Sequence, residues 1–307
     1  MKTCDETYAP LVREALVPLL GSSVALTPIP TYPDSIVFQA GSGDRSVVFK
    51  AIHPHGRDPD GIGLEAWSIE RAREAGVPAP RVLAVDTSGA KFPSAYFVME
   101  TVEGVPLGDL TLEPDQLRIV FHRLGEDLRA LHDIALPGFG FLDEAHFRAT
   151  GLIRGFSDTW RHALLDEIPT SLEYLVRAGA LTDGEVSEAS AVLASGEPIL
   201  EAFSDPRLLH GDMGLGHVRA DPSTLEVTAL IDFGERSAGD PAYDFEDFEP
   251  VHLTEVLRGY GVDDEGFRAR IAFYALARSI PWARKWHERG EVEVLHRLRY
   301  VLGQARS

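Results

Sequence analysis

From residue 24 to residue 100 the chain runs in short stretches rich in β-branched and aromatic residues, and from Pro114 onward its apolar residues recur at helical spacing. A change of period within one chain divides it, giving a sheet from the first stretch and a helical assembly from the second: an α+β architecture. The β-rich runs are 24–29, 35–40, 46–52, 81–85 and 96–100, with Gly41-Ser-Gly-Asp44 as a hairpin turn between the second and third. A helix is expected over 5–20, with Asp5 as N-cap and Gly21 as its stop, and another over 64–75, ended by Gly76-Val-Pro-Ala-Pro80. Beyond the turn-rich linker Thr101-Val-Glu-Gly-Val-Pro106, helices are expected over 114–132, 155–167, 171–178, 183–194, 264–288 and 291–304. Only 207–233 returns to a β pattern. The expected domains are residues 1–103 and residues 104–307.

The chain's 307 residues suffice for two domains or lobes, and 44% hydrophobic content supports a buried core rather than disorder. Against 29 Lys and Arg stand 48 Asp and Glu, a net charge of −19. That balance argues against a nucleic-acid partner, whose binding rests on clustered cations, and fits a cationic small substrate better. Cys4 is the single cysteine, so an internal disulfide is excluded and a reducing compartment is expected. MKTCDETYAP at the N-terminus lacks an apolar signal core, and no run approaches the roughly 18 apolar residues of a spanning helix. A soluble, cytoplasmic protein without a membrane partner is therefore expected.

The β interruption carries the chemistry: Leu208-Leu-His210-Gly-Asp212-Met-Gly-Leu-Gly-His217-Val, then Leu230-Ile-Asp232-Phe-Gly234. Two acids and two histidines stand among glycines, flanked by apolar strand residues, and a hairpin-like return brings them together. Such a group can hold Mg²⁺ with a base beside it. Taken alone, His210, Asp212 and His217 could equally be zinc ligands of a hydrolase. Each also has an ordinary structural reading, an Asp capping a Gly-rich turn or a His packing against backbone. Gly41-Ser-Gly43 lies between strands with no helix after it, so it reads as a turn and not a phosphate loop. Thr31-Tyr-Pro-Asp-Ser35 is the better candidate for a loop over phosphates.

These residues resemble the catalytic loop and metal-binding segment of the protein-kinase-like superfamily, in its aminoglycoside and antibiotic phosphotransferase branch. His210-Gly211-Asp212, Ile231-Asp232-Phe233-Gly234 and Gly239-Asp240-Pro241-Ala-Tyr-Asp244 carry the match. It extends to Val47-Val-Phe-Lys50, to Leu64-Glu65 and to Phe97-Val-Met-Glu100, and so covers most of the chain. Where the family most often has Asn, this chain has His217, similar to the macrolide-phosphotransferase side; imidazole favours softer metals than Mg²⁺.

The resemblance implies a bilobal protein-kinase-like fold, with a small antiparallel-sheet N-lobe and a larger, mainly helical C-lobe. It implies a nucleotide-dependent O-phosphotransferase moving the γ-phosphate of ATP or GTP, with Mg²⁺, to a hydroxyl of a small molecule, an aminoglycoside above all. Asp212 would take the hydroxyl proton, with His210 ordering the loop, while Asp232 and His217 hold the metal. Lys50 would contact α- and β-phosphates, held by Glu65 or its rival Glu70. Ser35 belongs to the phosphate-covering loop, and backbone near Glu100 and Val102 would hold the base. Asp240 reads as a helix cap. The acidic run 240–249, with Asp244, Glu246 and Asp247, is either a solvated helix face or a wall attracting a cationic acceptor. Trp282 and Trp286 share a helix face, as core or as a stacking platform. The basic cluster from Arg278 to Arg289 reads as a solvated face. A macrolide kinase and an amino-alcohol or sugar kinase compete within the class; a zinc hydrolase and a silent kinase-like module compete outside it.

Overall fold

A computed structural model describes residues 6–31, 34–54 and 61–304. In chain order its main elements are α1 (Ala9–Leu20), β1 (Ala25–Pro28), β2 (Ser35–Ser42), β3 (Arg45–Ile52), α2 (Ile62–Glu74), β4 (Val82–Asp86), β5 (Tyr96–Glu100) and β6 (Val105–Pro106). There follow α3 (Pro114–His132), β7 (Phe139–Leu142), α4 (Glu144–Thr150), β8 (Gly155–Ser157), α5 (Trp160–Leu165), α6 (Ile168–Arg177) and α7 (Asp183–Ala202). The last third holds β9 (Arg207–Leu209), β10 (Val218–Ala220), β11 (Val227–Leu230), β12 (Ser237–Gly239), α8 (Pro250–Tyr260), α9 (Glu265–His287) and α10 (Val294–Gln304). Asp5, the expected N-cap, Cys4, and Tyr32 and Pro33 of the 31–35 loop lie outside the described residues.

Backbone contacts divide the chain into two compact units. The first joins the segment up to Arg123 to Gly214–Arg236; the second joins Leu124–Met213 to the segment from Ser237 onward. This differs from the division expected at residue 103, because the return segment with His217 and Asp232 groups with the sheet-bearing unit.

In the first unit the sheet order is β1-β2-β3-β5-β4, all antiparallel. Ser42 pairs with Arg45, so the β2–β3 turn is Gly43-Asp44, with Gly43 at φ +60. Val47, Phe49 and Ala51 of β3 pack into a core with Leu16 of α1, Phe38 of β2 and Phe92. Because side chains alternate along a strand, Lys50 falls on the opposite face. A second antiparallel sheet, β11-β10-β6, closes this unit.

The second unit packs helices with a four-stranded sheet of order β8-β7-β12-β9. Three expectations fail here. Residues 155–167 are strand β8 and then α5, because Thr159 caps a new helix by accepting from the His162 amide. Helix α8, opened by Pro250, is not among the expected helices. The acidic run is a short 3-10 segment, Pro241–Phe245, followed by irregular chain rather than a solvated helix.

Candidate active site

Lys50 gathers the first cluster. Its Nζ lies 2.6 Å from Glu65 Oε1 and 2.6 Å from Asp232 Oδ1, and both Lys50 and Glu65 are buried. Glu65 opens α2 on its buried side, whereas Glu70 accepts the Val82 amide at 2.6 Å. Burial alone would lower the Lys50 ammonium, but the charges of Asp232 and Glu65 outweigh it and hold it above its ordinary value. The same burial pushes the Glu65 carboxyl up, partly offset by Lys50. One ammonium thus serves two carboxylates, of which Glu65 is sealed in and Asp232 is 48% exposed.

The β10–β11 hairpin sets Asp232. Val218 pairs with Leu230, and the Ile231 amide donates to the His217 carbonyl at 2.9 Å, which fixes the two chain ends side by side. His217 Nε2 lies 3.7 Å from Asp232 Oδ2. Asp232 itself is in the left-handed region, φ +66 and ψ +62, one of two non-glycine residues with positive φ among the described residues. That conformation costs energy and aims the carboxylate at Lys50. A Cβ on Gly234 would sit 3.2 Å from Asp232 Oδ1, so glycine there leaves the carboxylate its room.

The second unit carries the His-Gly-Asp loop, which leaves β9. Asp244 holds it: Oδ2 accepts the His210 amide and Oδ1 the Gly211 amide, each at 2.8 Å, and Oδ2 also takes His132 Nε2 at 3.0 Å. Burial raises this carboxyl, but the hydrogen bond and charge of His132 outweigh it and leave Asp244 below the usual carboxylate range. His132 in turn meets the Tyr260 hydroxyl through Nδ1 at 3.2 Å. Gly211 sits at φ +82, a turn that a side chain would strain. His210 is fully buried, and its Nδ1 accepts the Asp212 amide at 3.3 Å. It thus meets the loop's own backbone.

Two expectations are corrected here. Asp244 is buried beneath the loop, so it is a scaffold and cannot wall an acceptor pocket. Arg278, read as belonging to a solvated face, is buried: its Nη2 donates to Asp212 Oδ1 and its Nη1 to Glu246 Oε1, both at 2.7 Å. Glu246 is buried as well, its Oε2 accepting Arg297 Nη2 at 2.8 Å, and Arg297 also pairs with Asp247. Asp240 is a buried cap, accepting the Ala242 amide at 3.0 Å and the Tyr274 hydroxyl at 2.7 Å. Trp282 and Trp286 touch, their ring centroids 5.4 Å apart. Trp282 lines a small pocket beside Asp212, while Trp286 is core.

Ser35 begins β2 opposite Ile52, half-buried. The Glu100 amide is committed to the Arg81 carbonyl at 2.9 Å, while half-buried Val102 follows the strand.

Among the described residues no group of three or more His, Cys, Asp or Glu is placed to hold a metal ion. The Asp232 carboxylate is the kind of oxygen donor that Mg²⁺ takes together with water and substrate phosphates, while the His217 imidazole beside it is a softer donor.

In protein kinases a strand lysine pairs with a helix glutamate, and the Asp of an Asp-Phe-Gly segment holds the metal. Lys50, Glu65 and Asp232-Phe-Gly234 place this chain in that kinase-like class of phosphotransferases. It belongs to the phosphotransferase enzyme family, whose profile matches residues 28–284. Over 228 residues it is 30% identical to streptomycin 3''-kinase of Streptomyces griseus, covering 71% of this chain and 73% of that protein. Its fold is similar to that of a thermostable mutant of aminoglycoside phosphotransferase APH(4)-Ia, in ternary complex with AMP-PNP and hygromycin B. The TM-score is 0.69 at 19% identity, over 96% of this chain and 99% of that one. It is also similar to APH(2'')-IIia, in complex with GDP and kanamycin: TM-score 0.69 at 14% identity, over 98% and 99%. No helix among the described residues is long and apolar enough to cross a membrane.

Proposed function

We propose that the chain transfers the γ-phosphate of ATP or GTP to a hydroxyl of an aminoglycoside. The observation that supports transfer most directly is Lys50 bridging Glu65 and Asp232 at 2.6 Å each, with Asp232 half-exposed beside His217. Lys50 contacts the α- and β-phosphates, and Glu65 keeps it extended from β3. Asp232, with His217 beside it, would hold Mg²⁺, which would supply neutralisation of phosphate charge. Backbone at Val102, with the Glu100 carbonyl, takes the base, and Ser35 at the start of β2 contacts the phosphates.

Asp212 accepts the proton of the acceptor hydroxyl while that oxygen bonds to the γ-phosphorus; the bond to the bridging oxygen breaks, and its electron pair leaves with the nucleoside diphosphate. The aminoglycoside assignment rests on the likeness to streptomycin 3''-kinase and on the acidic character of the chain. Asp247, 28% exposed at its side chain and paired with Arg297, is the carboxylate of the acidic run that would meet an amino or guanidino group. His217 in the usual Asn position keeps macrolides among the acceptors to be tried.

The test is phosphate transfer from Mg-ATP and Mg-GTP to aminoglycosides, macrolides and amino alcohols, with Asp212→Asn as the blank. Transfer confined to aminoglycosides and lost in the variant is the expected result. Intact nucleotide binding with no transfer to any aminoglycoside would overturn the substrate class, and turnover by Asp212→Asn at the wild-type rate would overturn the base.

A further inference from the structure

We propose that Arg278 is a positioning residue for phosphoryl transfer, aiming the Asp212 carboxylate from helix α9. The inference rests on the reading of Asp212 as proton acceptor. A general base works only when one of its oxygens is within hydrogen-bond reach of the proton it takes, and small misplacements cost large factors in rate. The loop backbone at Asp212 is held by Asp244 and His210, but those bonds reach amides and leave the carboxylate's own rotation to be set by what it meets.

Arg278 engages that carboxylate directly. Its planar fork engages Asp212 Oδ1 through one nitrogen and Glu246 Oε1 through the other, both at 2.7 Å. The Glu246 end is immobile, because Glu246 is buried and its second oxygen is held by Arg297. Aromatic rings fix the guanidinium further, with Tyr243 and Trp282 centroids 5.6 and 5.8 Å from its carbon. A rigid plane anchored at one edge transmits that anchoring to the other. Lysine, a point charge on a flexible stem, cannot join two carboxylates in one plane.

Arg278 donates hydrogen bonds and exchanges no proton; the hydroxyl proton goes to Asp212 as already described. Asp212, Glu246, Trp282 and Arg297 line the pocket beside the guanidinium, whose volume of about 70 Å³ is of the order of two water molecules. Removing the side chain therefore enlarges a lined space that a guanidinium ion from solution can enter.

The experiment uses the full chain with Mg-ATP and streptomycin, comparing wild type, Asp212→Asn, Arg278→Ala and Arg278→Lys. Arg278→Ala should lower kcat roughly 100-fold with the KM for ATP unchanged, a loss at the lower end of a general base's contribution. Guanidinium chloride at millimolar levels should restore turnover of Arg278→Ala about tenfold, with methylammonium giving nothing, because only the planar fork spans both carboxylates. Arg278→Lys, which keeps the buried charge and so the fold, should recover no more than about a tenth of wild-type kcat. A kcat within threefold of wild type in either variant, a loss lying wholly in the KM for streptomycin, or a folded alanine variant deaf to guanidinium overturns the proposal. If Asp212→Asn turns over like wild type, the base assignment itself fails and takes this inference with it; if Asp212→Asn is dead and Arg278→Ala is not, only this inference fails.

Discussion

The two charged clusters are built on different plans. Around Lys50 one cation faces two carboxylates, so the cluster carries a surplus negative charge, and the surplus sits on half-exposed Asp232. Around Arg278 the charges alternate, Asp212, Arg278, Glu246, Arg297 and Asp247, with each arginine between two acids. Under the proposed function, that exposed carboxylate is where a metal ion would add its charge. The second cluster, three acids to two arginines, also sums to −1, but both arginines meet on buried Glu246, and its end carboxylates Asp212 and Asp247 are only 26% and 28% exposed.

That contrast can be broken by experiment. The largest effect is expected from Asp232→Asn, which removes the surplus charge and should lower kcat roughly 10³-fold, with the fold retained in circular dichroism. Retained activity at saturating Mg²⁺ would show that the surplus charge is not used.

Next in size is Lys50→Met. It leaves Glu65 buried without its cation and should cost about 3 kcal/mol or more in urea unfolding. Adding Glu65→Leu should return most of that loss, since an apolar pair replaces a buried ionic one at little cost. Failure of the double variant to recover would mean that the pair does more for stability than its charges explain.

A smaller loss, about 2 kcal/mol, is expected for Asp244→Asn, which weakens charge-assisted bonds to the His210 and Gly211 amides and to His132. Turnover should fall with it, whereas a stability loss without any change in kcat would separate the scaffold from the loop's aim.

The smallest effect concerns neither cluster and serves as the control. Arg299, with the Thr182 amide, holds Glu185 of the α7 capping box down at about 2, from an ordinary 4.5. A lowered carboxyl stabilises fully above about 4.5 and loses that contribution as pH falls toward 2. Discounted for its partial exposure, the gap between wild type and Glu185→Gln should be about 1 kcal/mol at about pH 6 and close on acidification. A gap that widens in acid would reverse the sign of the argument.

The same contrast explains what can be read in the sequence. Lys50 follows the apolar Val47-Val-Phe in a β-rich run, Glu65 opens a helix and Asp232 closes a hairpin, so local period and turn chemistry bring the first cluster within reach. The second cluster draws on α9 and α10, and no local rule links Arg278 to a loop 66 positions earlier. One signal is present: Arg278 interrupts Ala275-Leu-Ala-Arg278-Ser-Ile-Pro281-Trp, an apolar stretch in which a charge needs a partner. Grouping it with Arg284, Lys285 and Arg289, which lie beyond that stretch, hides the difference. The acidic run misleads for a related reason, since Asp240 and Pro241 start a tight 3-10 segment that turns Asp244 and Glu246 inward, where a regular helix would give a solvated face.

Tyr260, His132 and Asp244 form a hydrogen-bonded line that ends under the His-Gly-Asp loop, and His132 lies 112 positions before Asp244. For anyone sorting natural or laboratory variants of this chain, neutrality cannot be judged by distance along the sequence. A change as mild as Tyr260→Phe on α8 removes the first link of that line, and its signature would be slowed turnover in a protein that binds both substrates normally.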